Sequence, residues 1–340
     1  MKTYCKNYVF TRQKVAEALE EWKKGDSGRK NEHRIQEEYG SESSFIDVIW
    51  LELSTETLEF EPIRTHVKHD PNSGKLREIS VESVKRQVCN YLCVNALEPL
   101  LSAKVGFWQV SGGVKGRGAA LGMRKLKRAI QRYLLHVHVD IRNCYGSMRT
   151  EMVFELAARY VRNRKVLYLL YTLLSTMGEV LILGSYLSLR LAAFVISFAY
   201  HAIEGVGTVR RGKRMNLVGC QVWYADDGYL LGNSKKALKR AVMLIVHVLA
   251  GFGLELKPWK IMHNGVEPID FAGYRIWAKH VDLRKRLWKR LRRAFFRFDK
   301  RRTPRLARRV CSYFGWMKTA EMEEQLVVRQ RVFNAARAAS

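Results

Sequence analysis

The sequence predicts an α+β fold in which a small antiparallel sheet is carried on amphipathic helices, and three observations predict it. Two apolar runs, 134–141 and 218–231, have strand character, and the second is interrupted by Ala225-Asp226-Asp227-Gly228, as a hairpin would be. Long stretches around them repeat apolar residues at the helical period, as in Leu238, Val242, Ile245 and Val248. Finally, 47% hydrophobic residues over 340 positions suffice to bury a sizeable core.

From the N-terminus, residues 11–40 set Val15, Leu19 and Trp22 against a charged face and end in a Gly- and Ser-bearing stretch, 40–44. Ile46, Val48 and Trp50 fall at even spacing, which predicts a strand at the start of 45–65. His69 to Lys75 is a turn rich in Asp, Pro, Asn and Gly, and a helix follows over 82–101. Residues 112–118 are glycine-rich and basic, with Lys115 and Arg117, and lead into a helix bearing Arg124, Lys125, Lys127, Arg128 and Arg132. A glycine loop before a helix can hold a phosphate, but the spacing is not that of a P-loop, and a plain surface loop explains it equally well. After the strand 134–141, residues 151–176 are expected to be helical and 235–251 form an amphipathic helix. Near the C-terminus Leu283, Leu287, Leu291, Phe295 and Phe298 share one helical face, with basic residues from Arg284 to Arg293 on the others. Thr303-Pro304 opens a further helix, Pro taking the first position that suits it.

Charge narrows the partners. Sixty Lys and Arg against 32 Asp and Glu give a formal +28, which draws a polyanion, either nucleic acid or an anionic surface. Tyr313, Phe314 and Trp316 interleave with Arg308, Arg309 and Lys318, a mixture able to grip phosphates and stack bases. Cys5, Cys89, Cys93, Cys144, Cys220 and Cys311 contain no Cys-x-x-Cys pair, which argues against a zinc ribbon or a disulfide framework. Cys89 and Cys93, four apart in a helical pattern, read as core. No signal peptide and no uncharged span of membrane length is evident, so a cytoplasmic protein with no membrane partner is expected.

The chemistry-bearing residues are carboxylates. Asp226 and Asp227 sit at the hairpin, and Asp140 ends an apolar strand that would lie beside it. Adjacent carboxylates repel unless a proton or a cation neutralises them. Three at the ends of neighbouring strands can hold two Mg²⁺ ions, hard cations that prefer oxygen, and two such ions suit phosphoryl transfer. A competing reading takes His136, His138 and Asp140 as a hydrolase metal site; nothing further along the chain completes that set, and it leaves the hairpin unexplained.

Several segments, in order along the chain, resemble the reverse transcriptases. Tyr224-Ala225-Asp226-Asp227 is similar to their Tyr-x-Asp-Asp box, and Val139-Asp140-Ile141-Arg142-Asn143-Cys144-Tyr145 to their first catalytic strand. Gly184-Ser185-Tyr186-Leu187-Ser188 resembles their Gly-x-x-x-Ser segment. Gly253-Leu254-Glu255-Leu256 with Lys257 or Lys260 resembles the next element, and Phe271-Ala272-Gly273-Tyr274 the primer-gripping hairpin. Lys75-Leu76-Arg77-Glu78-Ile79 and Lys85-Arg86-Gln87 resemble the fingers segments.

The resemblance implies a right-hand polymerase: an N-terminal helical extension at 1–60, fingers at 61–133, palm at 134–278 and a basic helical thumb at 279–340. It implies RNA-templated DNA synthesis with two Mg²⁺ ions, Mn²⁺ being a tolerated substitute, and with RNA, dNTPs and a DNA product as partners. Asp140, Asp226 and Asp227, with Ile141 beside them, would hold metal, and Lys260 would protonate the leaving pyrophosphate. Tyr145 would exclude a 2′-hydroxyl. Arg77, Lys85, Arg86, Gly184, Ser185 and Ser188 would meet the nucleotide, and Lys115, Arg117, Arg284, Arg290 and Arg293 the nucleic acid. Leu183 and Leu189 stand where group II intron and retron enzymes generally have Gln and Pro. Enzymes of diversity-generating retroelements and of bacterial anti-phage defence are the nearer types, with a defence role favoured. A template-independent or protein-primed polymerase and an inactive RNA-binding scaffold are the alternatives; an accessory protein or a homo-oligomer stays open.

Overall fold

The computed structural model describes residues 2–69, 76–110, 116–210 and 212–320. The chain opens with three helices, α1 (Arg12–Lys24), α2 (Asp26–Asn31) and α3 (His33–Tyr39). Thr11 caps α1 by accepting from the Lys14 amide, and Val15, Ala18, Leu19 and Trp22 form its buried face. The strand expected near Ile46 is instead helix α4 (Glu42–Thr55). Ser41 caps it by accepting from the Ser44 amide, and the buried residues are Phe45, Ile49 and Leu53, four apart. The even spacing of Ile46, Val48 and Trp50 was therefore misleading: Trp50 is 39% exposed, and cap and four-residue period decide the element.

Strands β1 (Arg64–His69) and β2 (Leu76–Val81) pair antiparallel with His69 opposite Leu76; the expected turn falls, beyond His69, outside the described residues. Helix α5 (Val84–Lys104) follows, capped by Ser83, and α6 (Ala119–Arg132) comes after the glycine-rich stretch. Next are β3 (Leu135–Asp140), α7 (Cys144–Ser147), α8 (Thr150–Ala158) and α9 (Arg164–Ser175). The helical region expected at 151–176 is thus two helices, and Asn163 starts the second by accepting from the Val166 amide. After α10 (Tyr186–Ala202) come β4 (Gly207–Arg210) and β5 (Lys213–Asn216), a ribbon with no clear sequence signal. Then follow β6 (Cys220–Tyr224), β7 (Asp227–Gly232) and α11 (Lys235–Ala250). Short strands β8 (Ile261–His263), β9 (Ile269–Phe271), β10 (Tyr274–Ile276) and β11 (Val281–Leu283) lead to α12 (Lys285–Lys300) and α13 (Pro304–Ala320).

These elements form two compact units that alternate along the chain. The first comprises Met1–Gly113, Ile141–Ala202 and Leu244–Lys257. Its central helix is α5, against which α1, α9 and α10 pack. Cys89 and Cys93 are core residues of α5, and burial pushes the Cys89 thiol up to about 12. The second unit comprises Val114–Asp140, Ile203–Met243 and Pro258–Ser340. It contains a four-stranded sheet in the order β6-β7-β3-β8 and a three-stranded one in the order β11-β10-β9. Helix α6 packs its apolar face, Met123, Leu126 and Ile130, towards β6, β9 and β10. Both sheets are antiparallel throughout, so the α+β expectation holds. Among the described residues no helix is long and apolar enough to cross a membrane.

Candidate active site

The four-stranded sheet brings the carboxylates together at one end. In the β3–β7 register Asp140 lies directly opposite Asp227, and in the β6–β7 register Tyr224 lies opposite Asp227. The hairpin loop is therefore Ala225-Asp226, and Asp227 and Gly228 already belong to β7. This moves the expected turn, which Asp227-Gly228 had suggested. Ala225 takes a positive φ of 53°, as the first loop residue of a II′-type hairpin does, a position where Gly is more usual. Gly228 is required for packing instead: a Cβ there would lie 2.8 Å from Trp223 and from Val139.

Two like charges directly across a strand pair destabilise it. Here a third group intervenes, since His138 Nε2 lies 2.8 Å from Asp227 Oδ1. With a carboxylate as acceptor, the imidazole is the donor. The His138 ring is stacked on Tyr229, its cross-strand partner, at 4.6 Å between centroids and 16° between planes. Tyr229 in turn donates its hydroxyl to the Asp270 carbonyl at 2.5 Å. Burial, with Asp227, Asp270 and Asp140 nearby, pushes the Tyr229 hydroxyl well above its ordinary range, which keeps it a donor. Arg284 closes the outer side of this chain of contacts by pairing with Asp270.

Among the described residues no set of three or more His, Cys, Asp and Glu side chains is drawn together as a metal site. The donor chemistry nevertheless fits a divalent cation: Asp140 and Asp227 face each other with hard oxygen ligands, and Asp140 Oδ1 is buried from solvent. Ile141, also expected to hold metal, is fully buried, and its apolar side chain is no ligand. The histidine-based alternative does not form. His136 is completely buried, its Nδ1 lies 2.6 Å from Asn264 Oδ1, and burial pushes its pKa below the usual imidazole range.

The other expected residues divide. Arg86, expected to meet the nucleotide, is fully buried and bonds to Glu82 Oε1, to Thr176 Oγ1 at 2.7 Å and to the Leu173 carbonyl at 2.5 Å. Ser188 is likewise wholly buried, with its hydroxyl on Met177 Sδ. Ser185 is buried and accepts from Asn90, while Lys85 donates to Glu52 at 2.8 Å. Gly184 is exposed with φ 109°, a conformation that favours glycine. Tyr145 is half-buried on α7, and Arg77 sits on β2 opposite Lys68. Lys260 immediately precedes β8, on the side leading towards the Asp140 end of the sheet, and its amine is held by Glu267 at 3.0 Å. Arg117 lies just before α6, whereas Lys115 falls outside the described residues. Arg293 is exposed on α12 and Arg290 half-buried.

His138, Tyr229 and Asp270 are the participants that the motifs did not name. The alternation His136-His138-Asp140 did place His138 on the face of Asp140, but only the side-chain contact across β3 and β7 shows that its partner is Asp227. The expected hairpin at Phe271–Tyr274 is present as β9–β10, with a two-residue loop in which Ala272 (φ 43°) and Gly273 (φ 95°) are both left-handed.

The sequence profile of the reverse transcriptases (RNA-dependent DNA polymerases) matches residues 67–276, well over half of the chain. None of the curated proteins matches it.

Proposed function

The chain belongs to the reverse transcriptase family and is thereby an RNA-directed DNA polymerase, a nucleotidyltransferase, and we propose that Asp140, Asp226 and Asp227 are its catalytic carboxylates. The observation carrying this reading is the register that sets Asp140 opposite Asp227 one residue beyond the Ala225-Asp226 loop. The family implies an RNA template, a DNA product and nucleotides, and works with divalent ions; Mg²⁺ is the ion we assign here. When bound, divalent cations supply charge neutralisation for the attacking 3′ oxygen and the departing pyrophosphate. The protein's own part is positional. The β3–β7 ladder fixes two carboxylates, and the His138 donor fixes the rotamer of Asp227. Lys260, just before β8, serves as the proton donor on this reading, exchanging Glu267 for the pyrophosphate oxygen. Tyr145 serves as the barrier to a 2′-hydroxyl.

On this reading 1–60 is a helical extension, 61–133 act as fingers, 134–278 as palm and 279–340 as thumb. The setting we favour is bacterial anti-phage defence: Leu183 and Leu189 depart from the Gln and Pro of group II intron and retron enzymes, and Leu189 and Ala225 from the Gln and Met usual in diversity-generating retroelement enzymes. Incubating the protein with labelled dNTPs, with and without an RNA template, separates templated synthesis from template-independent extension and from a scaffold. Asp226→Ala should reduce incorporation by more than the 10- to 100-fold typical of losing an outer-shell partner, about 10³ or greater. Its thermal midpoint and RNA affinity should stay near wild type. Incorporation persisting in the variant would refute the assignment.

A further inference from the structure

Helix α6 carries Arg124, Lys125, Lys127, Arg128 and Arg132 and no acidic residue. Its apolar face is buried, while Arg124, Arg128 and Arg132 are all exposed. They lie at i, i+4 and i+8, so they form one row, about 6 Å between neighbours and about 12 Å long. Like charges four apart on a helix repel one another by a few tenths of a kcal/mol. Elsewhere the chain offsets such charges locally: Lys23 pairs with Glu20 on α1, and Arg34 with Glu38 on α3. Helix α6 has no acidic residue of its own to do this, and only Arg132, in the last turn, is favoured by the helix dipole. An arginine row on a helix with no acidic residue suits a polyanion, because planar guanidiniums bind phosphate oxygens in pairs.

We propose that the exposed face of α6 is a second nucleic-acid backbone site, separate from the basic α12, and that it binds phosphates of a single RNA strand without reading bases. This rests on the polymerase reading above, which requires an RNA strand to be held. A row about 12 Å long covers about three phosphates at about 3.4 Å of axis per phosphate. The row itself consists of cations, which points to backbone contact rather than sequence readout.

The test is the salt dependence of binding to a labelled single-stranded RNA, followed by fluorescence anisotropy. Replacing Arg124, Arg128 and Arg132 together by Gln should lower the slope of log affinity against log salt by about 2, at about 0.7 per phosphate on a single strand. The advantage of the wild type over the variant should then shrink about 16-fold between 50 and 200 mM salt. The triple Arg→Lys variant should retain the wild-type slope, since its charge is unchanged. A Gln variant that folds, as judged by its thermal midpoint, and keeps the full slope overturns the proposal. So does a Gln variant that keeps the slope but loses self-association in ultracentrifugation, which would make the face a protein interface. Absence of dNTP incorporation by the wild type would instead count against the polymerase reading, so the two failures are distinguishable.

Discussion

His138 shows how much one hydrogen bond can matter at a charged site. A carboxylate facing another across a strand pair would turn away unless something held it, and the imidazole 2.8 Å from Asp227 Oδ1 does so. Outer-shell partners of metal ligands are typically worth 10- to 100-fold in metal affinity. His138→Ala should therefore weaken Mn²⁺ binding by about that factor, measured by titrating the ion against thermal midpoint, and His138→Gln should recover part of it. Equal Mn²⁺ affinity in all three proteins would show that Asp227 needs no such support. His136 makes a different prediction. Burial lowers its folded pKa, so the unfolded chain takes up a proton first as pH falls below about 6.5. The stability that neutral His136 contributes is present above that pH and is lost as pH falls through the lower folded value. The thermal midpoint should decline from pH 6.5 to 5, and His136→Gln, less stable at every pH, should show a shallower decline. A parallel decline would assign the effect to other groups.

At the level of elements, Gly228 tests the hairpin. A Cβ 2.8 Å from both Trp223 and Val139 has no room without movement of the sheet. Gly228→Ala should cost about 1–3 kcal/mol, read from chemical denaturation. A neutral substitution would mean that Trp223 is free to shift. The hairpin itself was legible in the sequence, because two apolar runs flank a polar break; its loop was not. Asp-Gly is a turn signal in isolation, but here the glycine is dictated by Trp223 from the neighbouring strand, a contact that local sequence does not encode. Likewise α4 was misread because an apolar alternation of three residues is short, whereas the Ser41 cap and the Phe45–Ile49–Leu53 period extend further. The three aspartates could be named from motif spacing. Arg86 and Ser188 could not be recognised as core residues, since a motif preserves residue type while burial depends on α9 and the Leu173 carbonyl. The amphipathic helices α11 and α12 were readable because packing there agrees with local periodicity, and α5 because its apolar run is long.

For the molecule as a whole, a formal +28 makes salt the controlling variable. Helix α12 is exposed at Arg284 just before it and at Lys285, Arg286, Lys289, Arg292 and Arg293 along it, while Leu291, Ala294 and Phe298 are buried. Reversing Arg290 and Arg293 to Glu should flatten the salt slope for duplex binding by about 1.8 or more, at about 0.9 per phosphate, and shorten the products made per binding event. An unaltered slope would make α12 a solvated surface. The alternation of the two units along the chain also bears on how the protein is made. Strand β3 lies in the middle of its sheet, between β7 and β8. His138 and Asp227, which meet across β3 and β7, are 89 residues apart in sequence. At about 5–20 residues per second, the ribosome delivers β7 about 4–18 s after β3. Throughout that interval the segment Leu135-His136-Val137-His138-Val139 lacks both of the strands that flank it in the folded sheet, so its backbone groups stay unpaired until β7 and β8 follow.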